Sequence, residues 1–237
     1  MKNIVSTEIL QDIPVDLDAE NIKKKLRMEG RSEWPSVQRL AEAAQSLIKA
    51  RAVYKVCYIE SKFEEGVVIE GRRLKSRVLR RNLEDVERVF PYVVTLGNEI
   101  EDRINECTDV LEQYYFDTIA NVYLTAARRY LKNQLKSKFA LDGMSLMSPG
   151  SLKDWGLEEQ GPLFSILEDV DGAIGVRLTD TFLMLPRKSL SGIYFPTEVP
   201  FYSCQLCSRK NCPSRKAKYK EASAREYGIL DPRSANP

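Results

Sequence analysis

The sequence predicts an α+β fold: a mixed or antiparallel sheet flanked by helices, with a small Cys-rich C-terminal extension. Three observations point there. Residues 52–59 and 67–70 are rich in Val, Tyr and Ile, and Gly66 and Gly71 bracket the second run, as expected of paired strands. Residues 99–138 keep a helical period. Helices and strands arrive in blocks rather than in strict alternation, which disfavours a doubly wound parallel sheet.

Taken in order, Asp18 is an N-cap for a short helix to about Met28, ended by Gly30. Pro35 suits a first helical turn and opens a second helix through Leu40, Ala44, Leu47 and Ile48. Residues 52–59 form one strand with Cys57 inside it, and residues 67–70 return as a hairpin. A third strand spans 91–96 and closes at Gly97. Residues 99–138 make one long helix or two, with Tyr115, Ile119, Val122, Ala126 and Tyr130 on one core-packing stripe. A short apolar piece follows Gly143, then the turn Ser148-Pro149-Gly150 and a helix over 158–167. Strands are predicted at 174–178, 181–185 and 189–195. There is no internal repeat and no low-complexity stretch.

The 237 residues can bury roughly 70–75% of the unfolded surface, so no disulfide framework is needed. We expect a domain over 1–203 and a Cys-rich basic tail over 204–237. Lys and Arg number 36 against 34 Asp and Glu, a formal charge of +2, which argues against a general nucleic-acid binder. No apolar run approaches the length of about 20 residues that spans a bilayer. Residues 1–14 lack the basic segment and apolar core of a signal peptide. A cytoplasmic protein with reduced cysteines is therefore expected. There is no His, so the chain supplies no Ser-His-Asp triad, no Cys-His pair and no His-ligated metal. No catalytic residue stands out.

Three of the five cysteines are crowded as Cys204-Gln-Leu-Cys207, then Cys212. Two thiolates two residues apart can grip one metal ion or cluster iron from a tight turn, and a third nearby suits the same centre. A redox dithiol and three unrelated thiols are the alternatives. A closed site needs a fourth ligand, from Cys57, Cys107, a carboxylate, water, a substrate or a second chain. Cys57, inside a strand, reads as a small hydrophobe, and Cys107 lies near a helix end. Arg209, Lys210, Arg215, Lys216, Lys218 and Lys220 surround the segment; their charge favours thiolate and attracts an acidic redox partner, or simply solvates a tail.

Several stretches, in this order, resemble the activation domain of cobalamin-dependent methionine synthase. They are Ser148-Pro149-Gly150, Leu163-Phe164 with Leu167, Ile174-Gly175, Leu178-Thr179, Met184 and Pro186, then Ser189, Ser191-Gly192 and Tyr194-Phe195. Arg187-Lys188-Ser189 and the terminal C-x2-C-x4-C segment resemble free-standing relatives of that domain. The specific part spans 145–215; a looser similarity through Ala50-Arg51-Ala52, Tyr54-Lys55-Val56 and Thr95-Leu96-Gly97 reaches back to about residue 17.

The resemblance implies an accessory protein that docks on a cobalamin-bearing partner, the core of methionine synthase or a related corrinoid methyltransferase. It would support reductive reactivation and methyl transfer from S-adenosylmethionine, with a redox donor as a further partner. Ser148, Pro149, Gly150, Ser189, Ser191, Gly192 and Tyr202 are the implied cofactor-binding residues. Cys204, Cys207 and Cys212 would hold an iron–sulfur cluster that carries the electron, or a structural zinc. The strand over 189–195 is expected at the corrinoid-facing surface, Ser191 and Gly192 being small for close approach. The rival reading is a non-catalytic scaffold for a corrinoid protein or a small molecule, with a structural metal tail.

The family motif Arg-x-x-Pro-Gly-Tyr is altered. Leu146 stands at the Arg position and Ser151 at the Tyr position, while Pro149 and Gly150 match. Losing the charge-assisted contact costs about 1.5–3 kcal/mol, roughly ten- to hundredfold in affinity. These departures also weaken a third reading, a free-standing S-adenosylmethionine methyltransferase.

Overall fold

A computed structural model describes residues 7–212 and 214–229. Its first half follows local signals closely. Helix α1 (Ala19–Leu26) begins where Asp18 Oδ1 accepts from the Asn21 amide at 3.0 Å. It stops at Arg27, which takes a left-handed conformation, φ 56°, before Gly30 is reached. Helix α2 (Trp34–Leu47) has Pro35 in its first turn and buries Val37, Ala41 and Ala44.

The expected strand over 52–59 is divided into β2 (Arg51–Tyr54) and β3 (Cys57–Phe63). Both pair antiparallel with β6 (Arg88–Thr95) in one continuous register, Tyr54 opposite Tyr92 and Cys57 opposite Val89. Pro91 stands between those partners. It accepts from the Lys55 amide at 3.1 Å but has no N–H to return, so the ladder breaks there. The hairpin partner is β4 (Gly66–Ile69), and β5 (Arg72–Lys75) extends it. A Cβ on Gly66 would stand 1.9 Å from the Leu74 carbonyl oxygen, so only glycine permits that approach.

Besides β5, three elements escaped the sequence reading. Strand β1 (Glu8–Leu10) borders β2. Helix α3 (Arg77–Asn82) is capped by Ser76, whose Oγ accepts from the Leu79 amide. A short helix α8 (Glu221–Glu226) closes the described chain. The long helical stretch divides into α4 (Glu99–Glu106) and α5 (Val110–Lys138), restarted by the Asp109 cap. The buried face of α5 runs through Phe116, Ile119, Tyr123, Ala127, Leu131 and Leu135. Ile119 and Val122 of the expected stripe are buried, whereas Tyr115 and Tyr130 only flank the core.

Strand β7 (Met144–Met147) precedes the Ser148-Pro149-Gly150 turn, and a 3-10 turn leads into α6 (Gln160–Leu167). The strand expected at 174–178 is mostly something else. Asp169 caps α7 (Val170–Ile174), Gly175 ends it at φ 71°, and only β8 (Arg177–Leu178) is extended. Likewise only β9 (Met184–Leu185) survives of the strand expected at 181–185. Thr179 folds that segment into a turn, its hydroxyl accepting from the Leu183 amide at 3.1 Å. Strand β10 (Ser189–Pro196) lies between β6 and β7, antiparallel to both.

The result is an antiparallel sheet covered on both faces. Alternate residues Phe90, Tyr92 and Val94 of β6 meet α1, α2, α4 and α5, while Val93 faces α6 and α7 and Val89 joins a second core. That second core contains Ile193, Phe195, Met147, Trp155 and Leu163, and also Leu206 and Ala224 from beyond residue 204. Among the described residues, no helix is long and apolar enough to cross a membrane.

Candidate functional site

The turn that follows β7 is held from inside. The Gly150 amide donates to the Trp155 carbonyl at 2.8 Å, and the Ser151 amide and Oγ both donate to the Ser148 carbonyl at 3.2 and 2.6 Å. Gly150 has φ 77°, a conformation glycine adopts without strain. Pro149 is buried, while Gly150 and Ser151 are exposed and Ser148 is half-buried. With the Gly150 and Ser151 amides committed internally, neither is free to donate to a ligand's carboxylate. Leu146, at the Arg position of the motif, is half-buried and packs toward the α5 side.

Three implied binding residues prove internal. Ser189 is 4% exposed, and its Oγ donates to the Pro186 carbonyl at 2.7 Å and lies 2.9 Å from Thr95 Oγ1. Ser191 is equally buried and donates to Gln160 Oε1 at 2.6 Å. Gln160 in turn donates to the Phe182 carbonyl at 3.1 Å, tying β10 to the β8–β9 hairpin. A Cβ on Gly192 would lie 2.5 Å from the Met147 carbonyl oxygen and 2.8 Å from Ser148 Oγ. The smallness of Ser191 and Gly192 therefore serves packing within the sheet, which corrects the expectation that it serves an approaching corrinoid. Tyr202 is exposed, and its amide donates to Gln205 Oε1 at 3.3 Å. The neighbouring Phe201 amide donates to Ser145 Oγ at 2.8 Å, which fixes the tail against β7.

The cysteine segment is organised around an arginine. Arg215 donates to the carbonyls of Cys204 at 3.1 Å, Cys207 at 3.2 Å and Ala217 at 3.2 Å, and also to that of Arg209. Cys204 Sγ accepts from the Lys216 amide at 3.4 Å, and Cys207 packs against the second core. Among the described residues, no group of three or more His, Cys, Asp or Glu side chains is gathered to hold a metal ion. As arranged, Cys204, Cys207 and Cys212 do not fit a zinc ion or an iron–sulfur cluster, and that expectation finds no support. Neither remaining thiol is free to complete such a set. Cys57 is fully buried and burial pushes its thiol up to about 12; Cys107 caps α4 and its Sγ accepts from Arg103 Nη1 at 2.8 Å.

Beneath the turn, Glu159 is 9% exposed and accepts from the Lys75 amide at 2.7 Å. Burial raises its carboxyl above the ordinary value despite that bond. A carboxyl whose folded-state pKa is raised holds its proton more tightly in the folded protein. Its charged form is thus penalised at neutral pH, and the penalty fades as pH falls through the folded-state pKa. Glu159→Gln keeps an acceptor and removes the charge. It should be more stable than the wild type at neutral pH, with the difference shrinking in acid; urea unfolding across that range reads it. A difference that does not change with pH would disprove the assignment.

Sequence reasoning places Arg128 off the apolar stripe of the long helix and does not single it out as a site residue. Helix α5 brings its guanidinium beside the Tyr92 hydroxyl, where the Ser148 and Tyr194 hydroxyls also converge. The Tyr92 and Tyr194 rings stack at 4.7 Å, and Tyr194 donates to the Arg128 carbonyl at 3.3 Å. A groove of about 860 Å³ lies along residues 81–88, 140–143 and 196–199 and includes none of the expected site residues.

An antiparallel sheet packed between helices is a fold shared with solved proteins. One is the MetH reactivation domain in a crystal structure bound to AdoHcy. It superposes with a TM-score of 0.60 at 15% identity, over 84% of this chain and 81% of that one. The fold is thus that of a reactivation domain, as the sequence resemblance implied. No family model and no curated protein sequence matches the chain.

Proposed function

We propose that this chain is an accessory protein of corrinoid methyl transfer. It receives a cobalamin-bearing partner, the core of methionine synthase or a related methyltransferase, and supports reductive reactivation with S-adenosylmethionine as methyl donor. A separate redox donor supplies the electron. The observation that carries this reading is the likeness, over most of both chains, to a reactivation domain solved with AdoHcy. The turn Ser148-Pro149-Gly150 and the exposed Tyr202 are the groups of this chain that such a ligand would meet. S-adenosylmethionine supplies an electrophilic methyl; the turn's part is to orient the ligand through its outward backbone face.

Calorimetric titration with AdoHcy tests this. The wild type should bind weakly and saturably. Ser151→Tyr, at an exposed position, should tighten binding by roughly three- to tenfold, the worth of one aromatic contact. Absence of saturable binding in both proteins would overturn the reading. It would leave the scaffold alternative, which Leu146 and the internal commitment of the Gly150 and Ser151 amides favour.

A further inference from the structure

The groove of about 860 Å³ crosses one end of the sheet, where β6 begins and β10 ends. Its three lining segments are held by backbone bonds. The Thr197 amide donates to the Gly143 carbonyl at 3.2 Å, and a Cβ on Gly143 would stand 1.9 Å from the Thr197 carbonyl oxygen. The Leu141 amide donates to the Lys136 carbonyl at 2.9 Å, which ties that segment to the last turn of α5. The Ile59 amide donates to the Glu87 carbonyl at 2.8 Å, which ties another to β3. The concavity is therefore formed before any ligand arrives.

Its charge is opposite to that of the chain. Five carboxylates line it against two guanidiniums, although the formal charge of the whole chain is +2. Arg80 holds Glu84, and Glu226 holds Arg81. That leaves Asp85, Glu87, Asp142 and Glu198 against Arg88. Among the described residues, none of these four carboxylates makes an ion pair. All four are exposed. They are spread along the groove rather than gathered, and among the described residues no group of three or more such side chains could hold a metal ion. Each is next in sequence to an apolar lining residue: Val86, Leu141 or Val199, the last 78% exposed.

We propose that this groove docks an extended Lys- or Arg-rich segment of a partner protein. Dispersed carboxylates beside aliphatic side chains suit cations carried on long aliphatic stems. The stems cover Val86, Leu141 and Val199 while the charged heads reach the carboxylates. The volume falls within the range of about 300–1,000 Å³ usual for ligand sites, and the opposite charges orient the approaching segment. The site does not depend on the proposed AdoHcy binding, because none of the expected site residues lines the groove.

Fluorescence anisotropy of a labelled hexapeptide of alternating Lys and Val, titrated with the full chain, tests the groove. A Glu-Val hexapeptide and spermine are the controls. Saturable binding of the Lys-Val peptide is expected, weakening as salt is raised, with no binding of the Glu-Val peptide. Asp142→Asn and Glu198→Gln should each weaken binding by about two- to fivefold. Neutralising all four carboxylates should abolish it with circular dichroism unchanged. Glu29→Gln, at an exposed carboxylate outside the groove, should bind like the wild type. The proposal fails if the Lys-Val peptide does not bind saturably, or if the fully neutralised variant binds like the wild type. Spermine binding as tightly as the peptide would make this a polyamine site, and self-association that the peptide competes away would make the occupant a second copy. Either result overturns the proposal.

Discussion

Gly192→Val should lower stability by about 3 kcal/mol, which in a chain of this size moves Tm down by roughly 6–12 °C. The cause is contact with neighbouring backbone. Gly192 stands opposite Tyr92 on β6, and β7 is paired on the other side through Ile193 and Met147. The first atom a Cβ would meet is the Met147 carbonyl oxygen at 2.5 Å, followed by Ser148 Oγ at 2.8 Å and Leu146 Cδ1 at 3.0 Å. A side chain can swing aside, but a carbonyl at the end of a paired strand moves only with the strand. Displacing β7 also displaces Ser148, so AdoHcy titration should show a loss beyond the change in Tm. A Tm within about 2 °C of the wild type, less than 1 kcal/mol, would show that β7 yields easily and that Gly192 has another role.

Trp155→Ala should cost about 3–5 kcal/mol, the usual result of emptying a buried aromatic site. Trp155 is fully buried in the second core, and its carbonyl anchors the turn through the Gly150 amide at 2.8 Å. Its Nε1 lies near the Glu159 carboxylate but outside good hydrogen-bond geometry, so packing dominates the loss. Trp155→Phe should therefore recover most of the stability and Trp155→Ala little, with urea unfolding as the measure. Equal losses in the two variants would mean that the indole nitrogen matters after all. Because the anchor is a backbone bond supported from below by the ring, Trp155→Ala should also loosen the turn, read as faster amide exchange at Gly150.

Some of this was legible before any coordinates. Asp18 and Gly66 act on residues three or four away, so the α1 start and the β3–β4 hairpin follow from local chemistry. The failures were of two kinds. The segment around Ile174 satisfies both periods over a few residues, and the Asp169 cap decides for a helix turn. On β10, alternation showed that two faces exist but not that both are covered. Ser191 and Gly192 therefore read as a ligand-facing pair when their partners are Gln160 and Met147. The tail misled for a related reason. Cys204, Cys207 and Cys212 have ligand spacing, but Arg215 occupies the carbonyls of their loop and the thiols are not gathered.

What the sequence determined by itself was the class of fold, the order of most elements, and the resemblance that the superposed reactivation domain matches. Those properties rest on caps, turns and periodicity, which act within a few residues of the chain. The tertiary structure alone decided which small residues are internal and that Arg128 lies beside Tyr92 and near Ser148. Such contacts join residues tens or hundreds of positions apart, and their geometry is fixed by strand order and helix packing, for which one sequence carries no short-range signal.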